Sequence, residues 1–342
     1  MYFLGISGGV LSGNQDGAAA LVKDGSIIAA AEEERFVRAK HASGLLPKRA
    51  IQFCLKQAGI SIKDVTVVSF AGATYVNFNE ILKDYFDFHF GYAPEIVLVD
   101  HHLAHAASTY FTWGQDHGLI LTMDFSGDRT STLAAVGEGL NIRELYRLHK
   151  PNSLGVFYSM LTQYLGFQKD NDEYKVMGLA SYGRPRYDFS KVLFKSGDTY
   201  ALNSEFVKNN IARNLPAPSK QERLYLNNLS LEQNGRLSDE PITDYYKDVA
   251  ASGQKALEDI ALHLVENLVH QTGIRKLCLA GGVALNCVMN QRIRESGFID
   301  ELFVPPHVSD AGLSIGGALL ECVKRGIRPR PLEHAYLGPQ YT

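Results

Sequence analysis

The chain has 342 residues, 45% of them hydrophobic, and a formal net charge of −3 at pH 7. That is enough apolar material for a large core and two or three domains, and the slight negative charge excludes a global field that would draw the chain to nucleic acid or an anionic membrane. No apolar run approaches a membrane span, and the scattered Cys54, Cys278, Cys287 and Cys322 include no CxxC pair, which fits a reduced cytoplasmic protein better than a disulfide scaffold or zinc knuckle.

The chain opens with the apolar run YFLGIS, the loop GGVLSGNQDG, and the runs AAALVKD and SIIAAAEEE joined at Asp24-Gly25. An Asp-Gly pair between apolar runs predicts a β-hairpin. Pro47 to Gly59 predicts a helix opened by proline and closed by glycine, and VTVVSFAG a strand. The order returns from Gly118: strand GLILTMD, loop FSGDRTS, strand TLAAVGEG, strand NIRELYRLH, then a helix near Leu154. This repeat resembles the α/β actin-like, sugar-kinase-like ATPase fold, in which two ribonuclease-H-like halves surround a central nucleotide cleft. Residues 1–115 and 116–342 are the expected halves. The first hairpin of each half should wrap phosphate with backbone N–H groups, which needs glycine and small polar residues such as Ser126 and Gly127.

Residues 184–245 are rich in charge, Asn and Pro and read as a polar insert; with the loops between Phe70 and Glu95 they are the expected selectivity elements. A long amphipathic helix is predicted from Asp244 to about Thr272, followed by strand KLCLA and a final helix after SDAGL.

The densest chemical signal is EIVLVDHHLAHAAS, residues 95–108. A buried strand stops at Asp100, a good N-cap, and an alanine-rich helix follows. His101 and His105 share one helix face and can meet on one ion, while His102 is turned away. Asp124 at a strand end and Asp310 at a helix start are the carboxylates expected to complete the site. His101, His105, Asp124 and Asp310 suit iron(II), manganese or zinc, which mixed nitrogen and oxygen ligands do not separate. Gly281, Gly282 and Asn286 form a strand-to-helix turn where backbone can approach a flat or anionic ligand. NDEYKVMGLASYG, residues 171–183, reads as a substrate loop in which Lys175 is a candidate phosphate contact and Asp172 or Glu173 a candidate base or ribose ligand, against the alternative of a solvated charge cluster. Lys40, beside Arg35, Arg38 and His41, is a further candidate for a carbamoyl or phosphoryl group, against an exposed strand end with balanced charges.

In order along the chain, LGIS, DGAAALVKDG, AAAEEERFVRAKH, VDHHLAHAAS, SLGVFYSMLTQYLGF, EYKVMGLASYG, LCLAGGVALN and PPHVSDAG resemble the NodU and cephalosporin-type carbamoyltransferase family. The resemblance thins only over 184–245. It implies carbamoyl transfer to a hydroxyl of a small-molecule or natural-product acceptor, as in antibiotic biosynthesis. The carbamoyl-adenylate used would come from carbamoyl phosphate and ATP, with iron(II) foremost among the metals and Mg2+ a further option. It also implies a following YrdC-like domain that makes the adenylate; the chain stops at Thr342, so that domain is expected as a removed module or a separate partner. Relatives carry a histidine before the first-loop aspartate, whereas this chain has Gln15-Asp16. Glutamine takes no proton at neutral pH, which leaves Asp16 or His41 as the base. A small-molecule kinase of the same fold and a non-catalytic nucleotide-binding module are the rival expectations; the histidine pair speaks against the kinase, whose Mg2+ is held by carboxylates, phosphates and water.

Overall fold

The computed structural model describes residues 1–10, 15–203 and 235–340. Half of the expected polar insert, residues 204–234, lies outside the described residues, as does 11–14 of the first glycine loop.

Strands β1 (Tyr2–Ile6), β2 (Ala18–Lys23) and β3 (Ser26–Glu32) make an antiparallel meander, and β4 (Val65–Ala71) and β5 (Glu95–Val99) join in parallel. The sheet order is β3-β2-β1-β4-β5. The second sheet repeats this plan with β6 (His117–Gly127), β7 (Thr130–Glu138), β8 (Asn141–His149), β11 (Lys276–Ala280) and β12 (Glu301–Phe303), in the order β8-β7-β6-β11-β12. A separate hairpin, β9 (Leu193–Ser196) with β10 (Thr199–Leu202), packs near the long helix. The repeated topology is that of two ribonuclease-H-like halves.

Helices α1 (Glu33–Val37), α2 (Lys48–Ala58), α3 (Phe78–Phe90) and α4 (His101–Trp113) belong to the first half in sequence. They are followed by α5 (Leu154–Tyr164), α6 (Glu173–Ala180), α7 (Asp244–Thr272), α8 (Cys287–Glu295) and α9 (Leu313–Lys324). Side chains alternate faces along a strand, and the cores follow that parity. In the first sheet Leu4, Leu21 and Val68 face α2 and α3, while Phe3, Val22 and Val67 face α4 and α9. In the second sheet Ile120, Leu133 and Cys278 face the same α4 and α9, while Leu121, Val136 and Leu279 face α5 and α7. The layers are therefore helix, sheet, helix, sheet, helix. Each fully buried Leu or Phe contributes about 1.5–3 kcal/mol to holding them.

The central layer is close-set. A Cβ at Gly5 would lie 1.7 Å from the Ser314 carbonyl oxygen, and one at Gly316 would lie 1.8 Å from that of Ala104. Helix α9, last in the described sequence, thus returns to rest backbone-to-backbone on β1 and on α4. Two segments expected as loops are helical: α3 within 70–95, and α6 within 171–183. Helix α3 buries Phe78, Leu82 and Phe86 at i, i+4 and i+8; Asn77, a common N-cap residue, stands at its start with left-handed backbone and makes no side-chain cap bond.

Candidate metal centre and nucleotide cleft

Helix α4 begins where two carboxylates meet its free N–H groups. Asp100 accepts from the Leu103 N–H at 2.8 Å, and Asp128 accepts from the His101 N–H at 2.9 Å. Asp128 also accepts from the N–H groups of Ala73 and Thr74, both at 2.9 Å, and from the Thr74 hydroxyl at 2.7 Å. It therefore binds the end of β4 to the start of α4. Burial works against its charge, but these donors outweigh burial and lower its pKa.

From that anchored end, His101 and His105 project on one face with ring centroids 4.8 Å apart. His101 Nε2 is 3.2 Å from Asp124 Oδ2 and 3.6 Å from Asp310 Oδ1, and His105 Nε2 is 3.2 Å from Asp310 Oδ1. One donor atom from each of the four lies within 4.8 Å of the others. The mixture of two imidazoles and two carboxylates at this spacing fits a divalent transition ion. The cluster is electrostatically built for positive charge. Burial disfavours a charged His101, yet Asp310 and Asp124 raise it to about 9. Burial likewise opposes Asp124, but its hydrogen bond to His101 and the nearby histidines hold it well below the usual carboxylate range. His102 is turned away as expected: its Nδ1 meets the Thr122 hydroxyl at 2.7 Å and its Nε2 the Thr130 carbonyl at 3.1 Å. Burial keeps it neutral.

Glycines make room for this geometry. A Cβ at Gly127 would fall 2.0 Å from His101 Cγ, and one at Gly281, whose φ is +88°, would fall 2.2 Å from the Met123 carbonyl oxygen. The Gly282 N–H donates to Asp124 Oδ1 at 3.0 Å, so the glycine turn after β11 holds the second oxygen of a candidate ligand.

These residues open onto a cavity of about 590 Å³ between the halves, a size typical of small-molecule sites. Of the sequence candidates, Asp16, Lys40, His101, Asp124, Ser126, Gly127, Glu173, Gly282, Asn286 and Asp310 line it. Gly281 supports the lining from behind, its N–H bonded to the Val308 carbonyl at 2.8 Å. Asn286 also caps α8, accepting from the Met289 N–H at 2.9 Å, and forms a reciprocal amide pair with Gln254 at 2.9 and 3.0 Å. Glu173 accepts from the Asp170 N–H at 2.7 Å, and burial raises its pKa. The structure does not bring Lys175 or Asp172 into the lining. They bind each other at 2.8 Å on α6, with the lysine turned to solvent.

Three contributors were not assigned from sequence. Tyr158 donates to Gln254 at 2.6 Å and faces the cavity. Asp128 and Asn171 line it too. Asp128 sits inside the quoted FSGDRTS loop, but its left-handed backbone, φ +48°, has no sequence signature beyond the tolerance of aspartate for that region. Among the described residues, no helix is long and apolar enough to cross a membrane.

Comparison with known proteins agrees with this architecture. The family model described as carbamoyltransferase N-terminus matches residues 5–97 and 90–319. The chain is 35% identical to the nodulation protein NolNO of Sinorhizobium fredii, over 99% of this chain and 53% of that protein. It is 39% identical to NolO of Bradyrhizobium diazoefficiens, over 70% of this chain and 42% of that protein. The chain spans about half the length of these curated relatives. Among solved structures, component A of the (R)-2-hydroxyglutaryl-CoA dehydratase of Acidaminococcus fermentans matches with a TM-score of 0.51 and 15% identity, covering 95% of this chain and 98% of that one. Full-length HypF in a phosphate- and nucleotide-bound form matches with a TM-score of 0.51 and 16% identity, covering 94% of this chain and 55% of that one. These distant likenesses show the fold, which is the actin-like ATPase fold expected from the internal repeat. With the family model spanning most of its length, the chain belongs to the carbamoyltransferase N-terminal family.

Proposed function

We propose that this chain transfers a carbamoyl group from carbamoyl-adenylate, made from carbamoyl phosphate and ATP, to a hydroxyl of a small-molecule acceptor. The observation that carries the reading is the placement of the His101, His105, Asp124 and Asp310 cluster on the wall of the same cavity as the Gly282 turn and Asp16. A nucleotide-bearing substrate in that cavity would lie against the end of β6 at Ser126-Gly127 and the side-chain-free Gly281-Gly282 turn, whose own N–H groups are taken by Val308 and Asp124, with Lys40 at the rim. A divalent ion held by the four-residue cluster would supply polarisation of a carbamoyl or phosphoryl oxygen. Iron(II), manganese and zinc all suit the donors.

In this reading Asp16, in the cavity lining, takes the proton of the acceptor hydroxyl. Burial raises its pKa, His41 opposes that rise through a hydrogen bond, and Asp310 adds to it. A carboxylate of raised proton affinity is better suited to general-base work than an ordinary one. Glu173, also in the lining, is the second acid available to the substrate. Asp172 and Lys175, paired on α6, contribute by fixing their neighbours. The adenylating step is assigned to a YrdC-like domain acting in cis or in trans.

The test combines metal analysis with product detection. Purified protein is expected to carry a transition metal, and His101→Ala to lose it. With a YrdC-like adenylating protein, ATP and carbamoyl phosphate supplied, mass spectrometry of hydroxyl compounds should show addition of one carbamoyl group. Metal-free wild-type protein, together with a His101→Ala variant that behaves like wild type, would refute the reading.

A further inference from the structure

Asp16 and His41 are joined twice. His41 Nδ1 is 2.7 Å from Asp16 Oδ1, and the Asp16 N–H donates to the His41 carbonyl at 2.8 Å. Both residues have left-handed backbone, with φ of +54° and +61°, and Arg38 and Ala42 around His41 do as well, at +59° and +43°. Left-handed backbone at non-glycine residues costs free energy, and such strain gathers where a side chain must be held in one place for function. The Glu34 carboxylate holds the loop from below, accepting the His41 N–H at 2.7 Å.

The other ring nitrogen crosses the cavity. His41 Nε2 is 3.0 Å from Asn171 Oδ1, on the second half. Asn171 in turn donates its side-chain N–H to Asp172 Oδ1 at 3.3 Å, which turns its oxygen toward His41. Lys175 fixes Asp172 at 2.8 Å. The acidic and basic residues of α6 thus form the outer end of a chain of contacts that ends at Asp16. Both nitrogens of the His41 imidazole, a group able to carry a proton, face oxygens, one of a carboxylate and one of an amide. Gln15, next in sequence to Asp16, has no such capacity to carry a proton.

We propose that Asp16, His41 and Asn171 form a hydrogen-bonded triad spanning the two halves, in which Asp16 is the base and His41 a positioning residue, itself held by Asn171, that fixes the Asp16 carboxylate. This rests on the carbamoyl-transfer reading above. In the step it serves, the acceptor O–H bond breaks and its proton passes to the Asp16 carboxylate. The acceptor oxygen bonds to the carbamoyl carbon, and the bond from that carbon to the phosphate oxygen breaks, its electron pair leaving on AMP. The proton then passes to solvent, so the sum is carbamoylated acceptor, AMP and one proton. The charged groups facing Asp16 are His41, Asp310 and Glu32; the two carboxylates raise its pKa and the histidine lowers it. Removing His41 therefore moves the Asp16 titration to higher pH.

Water serves as the acceptor for the test. Carbamoyl-adenylate is generated from ATP and carbamoyl phosphate by a separately purified YrdC-like protein, and AMP release above that protein alone is followed from about pH 5 to 9. Asp16→Asn is expected to lower the rate by about 100-fold or more, the scale of a lost general base. His41→Ala should lower it less, move the acid limb to higher pH, and recover in part when imidazole is added. Asn171→Ala, which leaves the strained loop intact, should shift the limb the same way by less. A His41→Ala protein that folds, as judged by circular dichroism, and keeps the wild-type acid limb overturns the triad whatever its rate. So does an unshifted limb in Asn171→Ala, should His41→Ala not fold. If wild type adds no AMP beyond the adenylating protein, the transfer reading itself fails and the triad's role with it.

Discussion

The His101 ring lies against the bare backbone of Gly127, at a distance no side chain could share: an added Cβ would be 2.0 to 2.2 Å from three ring atoms. Backbone and ring cannot both hold position if a methyl group is inserted. Gly127→Ala is expected to weaken metal binding by about tenfold or more, as changes behind a ligand commonly do. Overpacking should also cost about 1–3 kcal/mol of stability. Metal content of the purified variant and its urea unfolding curve measure the two effects. Full occupancy with wild-type stability would mean that the contact is not tight.

Asp128 gathers four hydrogen bonds, three from the turn after β4 and one from the start of α4. Replacing it with alanine leaves those donors to water and removes a negative charge from the start of α4. About 2–3 kcal/mol of stability should be lost, the range for hydrogen bonds to a charged partner. The depressed pKa gives a second check. Its stabilisation is present above the ordinary carboxylate pKa and is lost as pH falls through the lower folded value, so Asp128→Ala should cost less in acid than at neutral pH.

His307 donates to the Ser108 carbonyl at 3.1 Å, and burial pushes its pKa below the ordinary value. The unfolded chain then binds the proton that the folded chain resists. Stability should fall as pH drops below about 6.5, by at most about 1.4 kcal/mol per pH unit for this group. His307→Gln, which keeps a donor but does not titrate, should flatten that dependence in urea unfolding between neutral and mildly acidic pH. An unchanged slope would assign the acid sensitivity to other groups.

Two lysines separate the sequence expectation from the geometry. Lys40 lines the cavity, while Lys175 is bound to Asp172 at the surface of α6. Lys40→Ala is expected to weaken binding of a fluorescent ATP analogue by about tenfold, the loss of one charge-assisted contact. Lys175→Ala should change it by less than about threefold, because exposed pairs contribute little. The reverse ranking, read by fluorescence titration, would restore Lys175 as the phosphate ligand.

Much of the architecture was legible because each half advertises its own period. The hairpin at Asp24-Gly25, the cap at Asp100 and the long helix from Asp244 to Thr272 are local signals, and each lies where expected. The His101 and His105 spacing was equally local, and the structure brings Asp124 and Asp310 to it from distant strands and helices. The bond from His41 to Asn171 was not legible, since it joins residues 130 positions apart through backbone that only tertiary contacts hold left-handed. The pairing of Lys175 was the opposite case, a local one: a lysine three residues after an aspartate at a helix start meets that neighbour. Helix α3 escaped notice although Asn77 and Glu80 stand where an N-cap and a first-turn acid belong, because its aromatic residues fit a strand as well as a helix.

Helix α9 touches α4 through main-chain atoms at Gly316 and Ala104, and the turn that bears Asp310 leads directly into it. The reach of Asp310 to His105 is therefore registered by two backbones in contact, a tolerance set by atomic radii and not by the length of any intervening side chain. Loops at the rim can be redrawn for a different acceptor without loosening that registration. A methyl group added at Gly316, out of sight of any substrate, would shift the carboxylate as surely as a change beside it.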